Sequence, residues 1–134
     1  MQYRKLGKSP LKVSAICLGT MMFGDQTDAA ESKRITADAR GHGVNSESIV
    51  GDLLTGQRHD WILATKIGNK MSERVNEMHY SRAWMLRECE ASLQRLRTDY
   101  IDIYYLHRDF NGMDLEEPLR AIEMLLRAGK IAYW

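Results

Sequence analysis

Cysteine is scarce in this sequence, and the two cysteines present, Cys17 and Cys89, lie far apart. Structural zinc sites and disulfide frameworks use several cysteines at short, paired spacings, so the pattern argues against both. The four histidines also lack the spacing of metal ligands. We therefore predict no metal site and, because free thiols are typical of reducing compartments, a cytoplasmic location.

Long hydrophobic runs are missing as well. No segment approaches the roughly 20 apolar residues of a membrane span, and the start, MQYRKLGKSPLKVS, has charges where a signal peptide has its apolar region. The net charge is only +1, which favours neither nucleic acid nor an anionic lipid surface as a partner. With 44% hydrophobic residues the chain has enough apolar content for a core. A small molecule or another protein is the expected partner.

The sequence does contain a regular alternation of apolar runs and amphipathic segments. Gly7-Lys8-Ser9-Pro10 separates two short alternating runs and predicts an N-terminal β-hairpin. Apolar runs predict strands over 13–20, 61–68 and 101–107, and a further strand beginning at Lys130. Helical periodicity predicts helices over 28–40, 47–54, 81–96 and from Asp114 to Gly129. Strands alternating with helices predict a parallel α/β fold, in one domain over residues 1–134.

The helix predicted after Asp114 has two further expected features. Asp114 and Glu117 have the spacing of a capping box at its start. Leu119, Ile122 and Leu126 are the expected buried stripe.

Three predicted strands end in residues that could bind a ligand or take part in catalysis. They end in Gly19-Thr20-Met21-Met22, in Thr65-Lys66 and in His107-Arg108-Asp109. Functional groups of parallel folds gather at the carboxyl ends of strands, so we expect Lys66 and His107 to converge on one rim. A desolvated lysine can lower the pKa of a neighbouring proton donor, and a histidine can orient or protonate a carbonyl oxygen. The alternative is structural: a solvated strand terminus and a hydrogen-bonded histidine.

Four segments together resemble the aldo-keto reductase family. They are MQYRKLGKSPLKVSAICLGTMMFG, LATKIG, SRAWMLRECEASLQRLRTDYIDIYYLHR and LEEPLRAIEMLLRAGKIAYW. The resemblance runs over essentially the whole chain and agrees in order, spacing and chemistry. It implies a (β/α)8 TIM barrel that binds a nicotinamide dinucleotide, usually NADPH, and reduces a small aldehyde or ketone to an alcohol.

The resemblance also assigns residues. Members of the family use a tetrad of Asp, Tyr, Lys and His, in which Tyr donates the proton. Lys66 matches the tetrad lysine and His107 the tetrad histidine. Gly19, Thr20 and Met21 match the loop that approaches the nicotinamide and its ribose.

Two departures from the family pattern shape the expected fold and function. Gly43-Val44-Asn45 continues directly into Ser46-Glu47-Ser48, without the second barrel strand, the tetrad Asp or the tetrad Tyr. The resemblance also ends where the family begins its fifth strand. We therefore expect an incomplete half-barrel with an N-terminal hairpin, and impaired reductase activity. The alternative is a non-catalytic fragment that self-associates as a dimer or larger assembly, because an open parallel sheet exposes its edges.

Overall fold

A computed structural model describes residues 2–21, 46–69, 77, 79–109 and 112–134. The chain forms two compact units, Met1–Leu53 and Leu54–Trp134. The helix predicted over 28–40 lies outside the described residues. Within the described residues, no helix has both the length and the apolar character that crossing a membrane requires.

The first unit begins with the predicted hairpin. Strands β1 (Tyr3–Lys5) and β2 (Lys12–Ser14) pair antiparallel. The Ser9 hydroxyl donates a hydrogen bond of 2.8 Å to the Leu6 carbonyl and closes the turn. Helix α1 (Ser46–Leu54) agrees with the helix predicted over 47–54.

The apolar run that follows the hairpin differs from its prediction. Instead of a buried strand over 13–20, residues 15–20 have no strand pairing in the described structure, and Ile16 is 75% exposed. An apolar run becomes a buried strand only where other strands and helices cover it, which the run itself cannot specify. The predicted strand is therefore wrong for this segment.

The second unit is built on a three-stranded parallel sheet. Strands β3 (Ala64–Ile67), β4 (Ile101–Leu106) and β5 (Ile131–Tyr133) pair in chain order. Parallel neighbours need a crossover connection, and here each crossover contains a helix. The predicted parallel α/β architecture is confirmed in this unit.

Helices α2 (Arg82–Leu96) and α3 (Glu116–Arg127) connect these strands and contact each other. In α2 the apolar periodicity of residues 81–96 predicts a buried stripe of Leu86, Cys89, Leu93 and Leu96, of which the last three are buried and Leu86 is half-buried. In α3 Ile122 is buried as expected, whereas Leu119 and Leu126 are exposed and the other buried positions are Pro118, Ala121 and Leu125.

The start of α3 also differs from its prediction. Leu115 is the N-cap, so the capping box does not form, although the Asp114 carboxylate accepts a hydrogen bond from the Glu116 N–H. The Glu117 carboxylate instead accepts the Arg82 N–H at 3.0 Å, at the first turn of α2. A carboxylate is favourable there because the first helical N–H groups lack partners within the helix. Glu117 thus links the two helices.

An ion pair joins the loop before β3 to the amino end of β4. Arg58 in a short 3-10 helix (Arg58–Asp60) donates to the Asp102 carboxylate at 2.8 Å, and each side chain is 13% exposed. The same carboxylate accepts the Leu63 N–H at 2.9 Å. We call this arrangement the amino-end clamp, because it fixes the entry to β3 against β4.

Candidate functional site

The carboxyl ends of β3 and β4 bring Lys66 and His107 to the same edge of the sheet. Lys66 pairs in register with Tyr105. The His107 N–H extends the ladder past the last β4 residue and donates to the Ile67 carbonyl at 2.8 Å. The convergence expected from the sequence is therefore present in the described structure.

Strand geometry places three polar side chains on one face of this edge. Side chains alternate along a strand, so Tyr105 and His107 share a face, and Lys66 shares it as the cross-strand partner of Tyr105. All three residues are exposed, Tyr105 by 44%. Among the described residues none of the three side chains has a hydrogen-bond or ion-pair partner. The ammonium, phenol and imidazole groups are therefore available to a ligand.

A buried tyrosine from outside the sheet holds the backbone next to His107. The Tyr80 hydroxyl donates to the Arg108 carbonyl and accepts the Arg108 N–H, each at 2.7 Å. The Arg108 side chain extends back to the loop after β3, where it donates to the Asn69 side-chain oxygen at 3.1 Å. Both strand-end loops are thus tied together beside Lys66 and His107.

Gly68 makes this arrangement possible. Its φ of 121° lies in a region that favours glycine, and a Cβ there would stand 2.5 Å from the Tyr80 hydroxyl oxygen. His79, which precedes Tyr80, has φ 63°, a left-handed conformation that is uncommon for a residue with a Cβ. The chain therefore has special backbone geometry on both sides of the Tyr80 ring.

The predicted cofactor residues Gly19, Thr20 and Met21 belong to the first unit. Met21 is 80% exposed, and a Cβ added at Gly19 would meet no atom within 4 Å. There is therefore space for a Cβ-sized group beside the Gly19 backbone. Their role in cofactor binding stays a prediction.

Two other kinds of site have less support in the described structure. Within the described part of the chain, no three His, Cys, Asp or Glu side chains are grouped as metal ligands. A groove of about 450 Å³ lies between α2 and α3, and its lining includes neither Lys66 nor His107. The edge at β3 and β4 is the better candidate, because it combines the exposed polar groups of Lys66, Tyr105 and His107.

Sequence position argues against Tyr105 and Tyr80 as site residues, because Tyr105 lies inside a predicted strand and Tyr80 precedes a predicted helix. Tyr105 could have been found, because residues two apart in a strand share a face and His107 was already a candidate. Tyr80 could not, because its partner Arg108 is 28 positions away and no local pattern connects them.

Residues 15–134 match the model of the Aldo/keto reductase family. The chain is 37% identical over 147 residues to the uncharacterized oxidoreductase YqkF of Bacillus subtilis, covering 100% of the chain and 48% of that protein. It is 36% identical over 152 residues to a probable voltage-gated potassium channel subunit beta of Arabidopsis thaliana, covering 100% of the chain and 45% of that protein. The chain spans about half the length of the curated relatives it matches.

A solved structure is similar to this chain in fold as well as in sequence, again over about half of its own length. The aldo-keto reductase AKR11C1 from Bacillus halodurans, in its holo form, superposes with a TM-score of 0.82 at 35% identity. The match covers 99% of this chain and 49% of that protein. Together with the parallel sheet, this likeness confirms the predicted α/β fold as part of a (β/α)8 barrel.

Proposed function

The chain belongs to the aldo/keto reductase family, and from this we propose that it carries the carbonyl-binding part of an NADPH-dependent oxidoreductase site. The substrate is a small aldehyde or ketone, which is reduced to an alcohol. The observation that carries the proposal is the group of free Lys66, Tyr105 and His107 side chains on one face at the carboxyl ends of β3 and β4.

These residues suit a carbonyl oxygen. The Lys66 ammonium is a hydrogen-bond donor, the Tyr105 phenol is a donor, and the His107 imidazole donates from whichever ring nitrogen is protonated. Donors directed at the oxygen stabilise the negative charge that develops there when a hydride reaches the carbonyl carbon. Tyr105, as the hydroxyl next to Lys66, is our candidate to donate the proton to that oxygen.

NADPH, when bound, supplies the hydride. Gly19, Thr20 and Met21 are the residues that would meet its nicotinamide end, and the absence of a Cβ at Gly19 lets a ligand approach the backbone closely. Gly19 and Met21 are exposed and Thr20 is half-buried, which leaves the segment accessible to such a ligand.

We propose that turnover is slow. In the family pattern a carboxylate pairs with the lysine and a dedicated tyrosine donates the proton, and the sequence lacks both. Among the described residues, no ion pair includes Lys66. A proton donor that is less well placed lowers the rate, because proton transfer depends first on geometry.

The test is NADPH oxidation by the purified chain with a reactive aromatic aldehyde, in the wild type and in Lys66→Met, Tyr105→Phe and His107→Ala. We expect each substitution to lower the rate about 100-fold or more, which is typical for loss of a general acid or of an oxyanion donor. His59→Ala is the matched control, because His59 is an exposed histidine at the other end of the sheet, beside Tyr100. If the wild type oxidises NADPH no faster than Lys66→Met, Tyr105→Phe and His107→Ala, the proposal is refuted.

A second candidate function is a non-catalytic unit that self-associates into a dimer or larger assembly. β3 and β5 are the outer strands of the described sheet. Trp61 and Ile62, just before β3, and Trp134, just after β5, are exposed apolar residues beside these strands. Exposed apolar surface beside an open strand edge favours pairing with another chain. Sedimentation velocity over a range of concentrations tests this candidate, and a concentration-independent monomer contradicts it.

We also propose that the protein is cytoplasmic. Cys17 and Cys89 are both free thiols in the structure, as is usual for proteins of reducing compartments. Fractionation of the source cells, with recovery of the chain outside the cytosolic fraction, would contradict this location.

A further inference from the structure

We propose that Tyr80 is a positioning residue for His107 and Lys66. Its hydroxyl binds both backbone groups of Arg108, the residue that follows His107, as donor to the carbonyl and acceptor from the N–H at 2.7 Å each. On its other side His107 is fixed by the hydrogen bond from its own N–H to the Ile67 carbonyl. The backbone is therefore held on both sides of the imidazole.

The same tyrosine reaches the strand that carries Lys66. The Tyr80 ring and hydroxyl lie so close to Gly68 that a Cβ at that position would stand 2.5 to 2.8 Å from three Tyr80 atoms. Gly68 follows Lys66 by two residues, at the end of β3. One buried side chain thus contacts the strand-end segments of both candidate residues, whose own side chains remain exposed.

The backbone before Tyr80 points to the same role. His79 adopts φ 63°, although it has a Cβ. Such conformations persist where the surrounding structure over-determines them, and they are concentrated at functional sites. The left-handed turn at His79 comes immediately before a tyrosine that is only 2% exposed.

Two consequences follow for the site. Without the hydroxyl, the Arg108 peptide groups lose their partner, so the segment carrying His107 gains freedom at the carboxyl end of the β3–β4 ladder. The direction of the imidazole then varies, and a carbonyl oxygen meets it less often in a productive geometry. This second consequence rests on the proposed function, whereas the first does not.

The experiment uses the whole chain with Tyr80→Phe, which keeps the buried ring and removes the hydroxyl. We expect amide hydrogen exchange at Arg108 to rise about tenfold or more, as for loss of a hydrogen bond, with the amides of α2 unchanged. We also expect the NMR signals of the His107 imidazole to shift or broaden. If the chain turns over, kcat should fall while KM for the aldehyde changes less.

Two control variants separate positioning from a general loss of stability. Tyr100→Phe removes a hydroxyl at the opposite end of β4, where it lies 3.1 Å from His59 Nδ1. Leu93→Ala weakens the buried face of α2 and leaves the Tyr80 hydroxyl in place. Neither should change the His107 signals.

The outcomes are distinct. Unchanged Arg108 exchange and unchanged His107 signals in Tyr80→Phe overturn the proposal. The proposal is also overturned if Leu93→Ala changes the Arg108 exchange and the His107 signals in the way expected for Tyr80→Phe. If Tyr80→Phe does not fold, amide hydrogen exchange in the wild type decides. Rapid, unprotected exchange at Arg108 also overturns the proposal. If exchange and signals change as expected but the wild type does not oxidise NADPH, the positioning role stands and the proposed function fails.

Discussion

The amino-end clamp gives the most quantitative prediction, for the substitution Arg58→Ala. The guanidinium donates to the Asp102 carboxylate at 2.8 Å and to the backbone carbonyls of Tyr100 and Trp61 at 3.0 Å each. It also donates to the Thr98 hydroxyl at 3.0 Å, and its central carbon lies 4.0 Å from the centre of the Tyr100 ring. One side chain therefore binds groups from two segments of the second unit, the loop before β3 and residues 98–102.

The expected loss is about 3 kcal/mol of unfolding free energy. Removing one partner of a buried ion pair costs about 3–5 kcal/mol, because the other charge remains without compensation. Here both side chains retain 13% exposure, and Asp102 keeps the Leu63 N–H, so the lower end of that range applies. A domain is typically stable by about 5–15 kcal/mol, so the loss is a large share of the total.

Urea unfolding followed by circular dichroism measures the change. The matched control is Arg127→Ala, since Arg127 pairs with Glu123 on the exposed surface of α3 at 2.6 Å. An exposed pair of this type contributes less than about 1 kcal/mol. Equal losses in Arg58→Ala and Arg127→Ala would refute the argument that burial makes the clamp important.

Two further predictions test the packing directly. Gly68→Ala should lower the free energy of unfolding in urea by about 3 kcal/mol, because its Cβ would collide with Tyr80 at a φ of 121°. Gly56→Ala, at φ 79° in open space, should lower it by only about 1 kcal/mol. Equal losses would contradict the close approach of Tyr80 to Gly68. A thiol reagent should modify exposed Cys17 rapidly in the folded chain and buried Cys89 only after unfolding; two rapidly reacting thiols in the folded chain would contradict the described packing around Cys89.

Sequence patterns predict best those elements that have a long run of buried apolar residues or a buried stripe along a whole helix. Helix α2 was predicted from residue 81 and begins at Arg82, and β4 was predicted over 101–107 and covers Ile101–Leu106. β3 is shorter than its prediction, because Trp61 and Ile62 are apolar but exposed. Hydrophobicity alone does not say where a neighbouring strand stops pairing.

The site was predictable only in part, for a similar reason. Lys66 and His107 follow from the rule that function gathers at the carboxyl ends of parallel strands, and the β3–β4 pairing brings them together. The roles of Gly68 and Tyr80 depend on a contact across the loops after β3 and before α2. Such contacts depend on tertiary packing, which local sequence patterns do not predict.

The β3–β4 pair is fastened by side chains at both of its ends. Arg58 and Asp102 hold the start of the ladder, and Tyr80 holds the chain just past its finish. Strand ladders ordinarily fray from their termini, where opening costs least. With neither terminus free, the amides of this ladder should exchange through one cooperative opening at a common rate. Lys66 and His107 would then keep their separation on heating until the whole strand pair unfolds in a single step.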